Sequence, residues 1–167
     1  MKTIAIIILG ITGIILPVSA QQLVKIEVKY KNIDSKWLAE IGIEGDANSA
    51  IKVPSCTSRE GQAATIQLIR EYRSSTAHEH SPVVECGFTI DLTPRIHKEG
   101  ILLTGKNVLR RPISVKAKGI STHFEASETI IDVTLKNGEP ESVPLQGGGS
   151  MIVTATLIDA TGSPVKE

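Results

Sequence analysis

Aromatic residues are scarce in this chain. It has one Trp, two Tyr and two Phe among 167 residues. A core built without them must be filled mainly by Ile, Val and Leu, and the β-branched members of that set favour strands. Charge of one sign is also absent: 18 Lys and Arg balance 18 Asp and Glu. Without a basic excess, nothing points to nucleic acid. There are two cysteines, Cys56 and Cys86, too few for a disulfide-dense scaffold. Beyond residue 20 no apolar run is long enough to span a bilayer.

The signatures of enzymes are missing as well. There is no G-x-S-x-G elbow and no Cys-Gly-Ser-Cys motif. Carboxylates are present, but nothing in their spacing fixes two of them face to face for glycoside chemistry. The four histidines are His78, His80, His97 and His123. His78-Glu79-His80 places two imidazoles close together, yet a closed zinc site needs about four ligands. Cys56, Cys86 and His97 do not complete a recognised spacing, so a solvated loop is the simpler reading. The chain is therefore expected to be a non-enzyme with no cofactor and no metal.

The N-terminus is informative. Lys2 is followed by an apolar run from Ile4 to Leu16, then Pro17 and Val18-Ser19-Ala20. A positive start, an apolar stretch of about 13 residues and small residues at the end predict a secretory signal peptide. Cleavage is expected between Ala20 and Gln21, leaving residues 21–167 as one domain with no membrane span. Export permits a Cys56–Cys86 disulfide, which would close a loop of about 30 residues and contribute roughly 3 kcal/mol. Two buried free thiols are the equal alternative.

The rest reads as strands and turns. Leu23 to Tyr30 alternates apolar and charged residues, the period of a half-buried strand. Asp34 or Ser35 can cap one short helix with Trp37, Leu38 and Ile41 on one face, and Gly42 can end it. Further strands are predicted at Ala50–Val53, Ala63–Tyr72, Val83–Thr93, Ile101–Thr104, Val108–Val115, Gly119–Phe124, Thr129–Leu135, Pro140–Leu145 and Met151–Ile158. Pro94 is expected to end one of them, and Pro112 to break another into an edge strand or loop. Asn137-Gly138 predicts a hairpin between Thr129–Leu135 and Pro140–Leu145. Gly147-Gly148-Gly149 reads as a flexible connector, and the tail from Asp159 as frayed. Lys106, Arg110, Arg111, Lys116 and Lys118 form a basic segment that suits either an acidic partner or a solvated strand face.

Short strands at this spacing predict an all-β sandwich or partial barrel. An immunoglobulin-like β-sandwich with one short helix near the N-terminus is the preferred architecture. It departs from antibody domains in one respect: Trp37 precedes both cysteines.

Three stretches in order resemble the C-terminal domain of secretins, the ring-forming outer-membrane channels of type II and type III secretion and type IV pili. The first is Val24-Lys25-Ile26-Glu27-Val28-Lys29-Tyr30 with Leu38-Ala39-Glu40-Ile41-Gly42. The second is Val53-Pro54-Ser55 with Gly61-Gln62-Ala63-Ala64-Thr65-Ile66-Gln67. The third runs from Glu85 to Thr93-Pro94-Arg95-Ile96. More weakly, Ile130–Leu135, Asn137-Gly138-Glu139 and Gly147–Val153 are similar to the family's last hairpin. The stretch between Gly42 and Ala50 is too short for the family's membrane hairpins, and the two cysteines are not expected there. The resemblance implies a shortened, water-soluble relative without those hairpins or the ring domains. Its sheet would be a self-contained sandwich or, alternatively, a partial secretin-type sheet completed by oligomerisation.

Two roles follow as expectations. One is an accessory or structural protein of a type IV pilus or type II secretion-like apparatus, in the periplasm, at the outer membrane or at the cell surface. It would contact envelope proteins and copies of itself through edges near Val108–Val115 and Ala63–Tyr72. The other is a surface adhesin or ligand-binding sandwich that uses the Ser74–Pro82 loop.

Overall fold

A computed structural model describes residues 22–40, 43, 50–72, 83–115 and 121–165. The predicted signal peptide, His78, His80, the Ser74–Pro82 loop, Lys116 and Lys118 lie outside the described residues, as do Ile41, Gly42 and the Trp37 side chain. No described helix is long and apolar enough to cross a membrane.

The described residues form nine strands and one helix. They are β1 (Leu23–Lys31), α1 (Ser35–Glu40), β2 (Ile51–Lys52), β3 (Cys56–Arg59), β4 (Ala64–Tyr72), β5 (Val84–His97), β6 (Gly100–Val115), β7 (Ser121–Leu135), β8 (Pro140–Pro144) and β9 (Ser150–Ile158). The strands make two antiparallel sheets. Sheet A has β1 at its centre, with β9 and then β8 on one side and β2 and β3 in succession along the other. Sheet B is the meander β4-β5-β6-β7.

The sequence patterns explain the layers. In β1, Val24, Ile26, Val28 and Tyr30 are buried while the residues between them are more exposed. Met151, Val153 and Ala155 of β9 continue that face. Opposite them, sheet B contributes Phe88, Ile90, Leu92, Ile101, Leu103, Leu109 and Ile131 to the same core. The scarce aromatics sit at its centre: Tyr30 stacks on Phe88 with ring centroids 3.9 Å apart and 22° between planes. Asp34 caps α1 by accepting the Lys36 N–H on Oδ1 at 2.9 Å. Leu38 and Ile43 then bury beside the sheets.

The two-sheet antiparallel sandwich follows the strand periodicity. Here neighbouring strands are consecutive in the chain or lie along one shared edge, and the β1–β9 pair joins first to last.

Several boundaries correct the sequence reading. β5 runs straight through Pro94, and β6 runs through Pro112. Pro94 pairs with Leu103 on β6, beyond the last β4 partner at Leu92. Its carbonyl accepts the Gly61 N–H at 2.7 Å, so its nitrogen also faces that side and no β6 bond is lost. Pro112 pairs with Phe124 past the last β5–β6 pair at Arg110, where β6 is laddered on one side only. Ser121–Leu135 is one strand where two are expected.

Asn137-Gly138 does not make the predicted hairpin. β7 stays in sheet B and β8 pairs with β9 in sheet A. The turn is docked on β9 instead: the Gly138 N–H donates to Ala155 O, and Asn137 Oδ1 accepts the Leu157 N–H at 2.8 Å. The triglycine is an ordered β8–β9 turn, closed by Leu145 N–H to Gly149 O at 3.1 Å. The tail folds back, with Val165 N–H donating to Leu157 O and Asp159 capping the Thr161 and Ser163 amides.

Candidate contact site

Cys56 lies half-buried on β3 of sheet A, opposite Ile26. Cys86 is buried on β5 of sheet B, opposite Arg70. Both are free thiols, so the disulfide that the sequence leaves open is not formed here. Burial pushes both thiols up, which makes them poorer nucleophiles. At Cys86 the positive charge of Arg110 acts against that effect.

Two of the four histidines, His97 and His123, are among the described residues. His97 ends β5 and His123 lies near the start of β7. Among the described residues no group of three or more His, Cys, Asp or Glu could hold a metal ion. The basic segment is interleaved with acids from β7. Lys106 Nζ lies 3.2 Å from Glu128, and Arg111 Nε donates to Glu125 Oε2 at 2.8 Å. These pairs are exposed and contribute at most about 1 kcal/mol each. They fit a solvated strand face better than a docking site for acid.

Concavities lie at two places among the described residues, and the sequence signals neither. A cleft of about 290 Å³ lies where the β5–β6 turn meets the β7–β8 connection. Ile96, Ile101 and Leu157 are its apolar walls, and Lys98, Glu99, Lys136 and Glu139 bring both charge signs to it. A shallower trough of about 220 Å³ crosses the outer face of sheet B between Ile69, Thr89, Lys106 and Arg110. Gly87 lies in that trough because only glycine fits: a Cβ there would run into the Leu68 carbonyl oxygen of β4.

The sheet edges differ in how they are guarded. Sheet A is interrupted on one side by Pro54, between β2 and β3. On its other side β8 begins at Pro140 and ends at Pro144. Proline blocks further pairing because it has no N–H to donate. In sheet B the β7 edge is met by the β8–β9 turn, where Gln146 N–H donates to Thr129 Oγ1 at 2.8 Å. β4 is different. Its nine residues, Ala64-Thr-Ile-Gln-Leu-Ile-Arg-Glu-Tyr72, contain neither proline nor lysine and pair with β5 alone. The predicted contact segment at Ala63–Tyr72 is therefore an edge strand, and of Val108–Val115 only Val108–Arg110 lie between two neighbours, while Arg111–Val115 pair with β7 alone.

No family model matches the chain, and no curated protein matches it.

Proposed function

We propose that this chain is an exported, non-enzymatic accessory or structural protein of a type IV pilus or type II secretion-like apparatus, acting by protein–protein contact in the periplasm or at the outer membrane. The observation that supports it best is the β4 edge, a row of backbone donors and acceptors that no described residue pairs or guards. Such an edge recognises another extended segment through main-chain hydrogen bonds. The secretin-like stretches, which fall on β1, α1, the segment between β2 and β3, β4 and β5, supply the class of machine.

A photo-crosslinking residue at Gln67, on β4, tests this in whole cell envelopes. Capture of pilus or secretion-system proteins is the expected result. Recovery of no such protein removes the apparatus from the proposal.

The cleft beside His97 favours a second reading, a surface adhesin or ligand-binding sandwich. Its apolar walls and mixed charges suit a small amphiphilic group. If this reading holds, Lys136→Glu abolishes binding to a surface ligand array while a Gln67 variant leaves it unchanged.

A further inference from the structure

We infer that β4 pairs with β4 of a second copy of this chain, antiparallel about a two-fold axis at Leu68. The inference rests on the contact role proposed for that edge and names its occupant.

Elimination selects the edge. Among the described residues, proline interrupts or bounds the outer strands of sheet A, and the β8–β9 turn sits against β7. The one-sided end of β6 beyond Arg110 carries Pro112, so β4 alone has neither protection. The direction of its backbone groups is legible at its midpoint. The Leu68 carbonyl oxygen is turned toward Gly87 on β5. Alternation along a strand then turns the polar groups of Gln67 and Ile69 to the open side.

The sequence of β4 suits a copy of itself. Its midpoint is Leu68, so pairing about that residue uses the whole strand. Ala64 then faces Tyr72, Thr65 faces Glu71, Ile66 faces Arg70 and Gln67 faces Ile69. No like charges are opposed, and the small residue meets the aromatic one. Centring the axis on Arg70 would set two guanidinium groups against each other. The Leu68 register places Gln67 and Ile69 in hydrogen-bonded pairs and leaves Leu68 against Leu68 in a close, non-hydrogen-bonded pair. Two four-stranded sheets thereby become one antiparallel sheet of eight. A two-fold pairing of this kind is closed, because each copy uses the same β4 edge.

The test uses the full chain, purified after export, in a Cys56→Ser background. In a non-bonded pair the two Leu68 Cα atoms lie about 4.5 Å apart, within the range a disulfide spans. Leu68→Cys should give a covalent dimer on mild oxidation. Thr65→Cys, whose two copies would be about 20 Å apart at roughly 3.3 Å per residue, should not. Gln67→Cys mixed with Ile69→Cys should link to each other more than either does to itself, which guards against a folding defect in the Leu68 variant. Light scattering should show a dimer that Gln67→Pro converts to monomer with the β signal in circular dichroism retained. A monomer at all concentrations, or equal linking by Leu68→Cys and Thr65→Cys, overturns the inference. Capture of envelope proteins from Gln67 without any Leu68 linkage also overturns it, while leaving the broader contact role standing.

Discussion

The phenol oxygen of Tyr30 on β1 donates a hydrogen bond to Asn107 Oδ1 on β6, across the interface of the two sheets. Both residues are buried, Asn107 being 1% exposed. The bond provides for a polar phenol and a polar amide in a core that is otherwise almost wholly apolar, and it ties β1 to β6.

Removing one partner should therefore cost more than removing both. Tyr30→Phe keeps the stack on Phe88 but strips Asn107 Oδ1 of this donor, a loss of about 1–3 kcal/mol. Adding Asn107→Leu should recover on the order of 1 kcal/mol relative to the sum of the single changes. Urea unfolding of the four proteins measures the coupling. Strict additivity would mean that the bond does not hold the sheets together.

The same phenol predicts an alkaline limit to stability. Burial raises the Tyr30 pKa well above its ordinary value. The folded state then holds a proton that the unfolded state releases, so this contribution is complete below about pH 10 and declines above it. The slope from one such group approaches about 1.4 kcal/mol per pH unit. The thiols of Cys56 and Cys86, also raised by burial, act in the same direction at lower pH. Tyr30→Phe should flatten the decline above pH 10 without altering the thiol region. Equal slopes in the two proteins would show that Tyr30 titrates normally.

Asn137 docks the β7–β8 connection through two different bonds. Its Oδ1 accepts the Leu157 N–H, and its Nδ2 donates to Val165 O at 3.2 Å. Asn137→Ala should destabilise by about 1–2 kcal/mol through the orphaned groups. Asn137→Asp keeps the acceptor and should lose less. Thermal unfolding of both variants separates a docking role from a merely conformational one, in which the two would behave alike.

Gly87 permits the approach of β4 to β5. Its φ of 131° strains any other residue, and an alanine Cβ there would meet the Leu68 carbonyl oxygen. Gly87→Ala should cost on the order of 2 kcal/mol. Amide exchange in β4 should rise before exchange in β6 and β7. Uniform acceleration across all four strands would show that β4 is not separately held.

Asp159 provides a test at acid pH. Its carboxylate accepts bonds from the Thr161 hydroxyl and the Thr161 and Ser163 amides, which hold its pKa below the usual value. A lowered folded-state pKa means that the turn is held at pH values above it and released as the pH falls through it. The Thr161 and Ser163 amide resonances should therefore move together, with a midpoint below that of an ordinary aspartate. An unshifted midpoint would contradict the cap.

The sequence by itself determined the all-β class, the inward face of β1 and the position of β4. Each is a local property: alternation of apolar residues sets which face is buried, and Gly or polar pairs set where a strand ends. Tertiary structure decided what pairs with what. Asn137-Gly138 reads as a hairpin, yet bonds from Leu157 and Ala155 of β9, distant in the chain, turn it into a crossover between sheets. Pro94 reads as a strand end, yet the strand continues, because at that point β4 has already ended and the missing N–H faces no ladder. A proline or a glycine pair carries only its own conformational preference. Whether that preference ends a strand depends on partners that only the folded chain brings alongside.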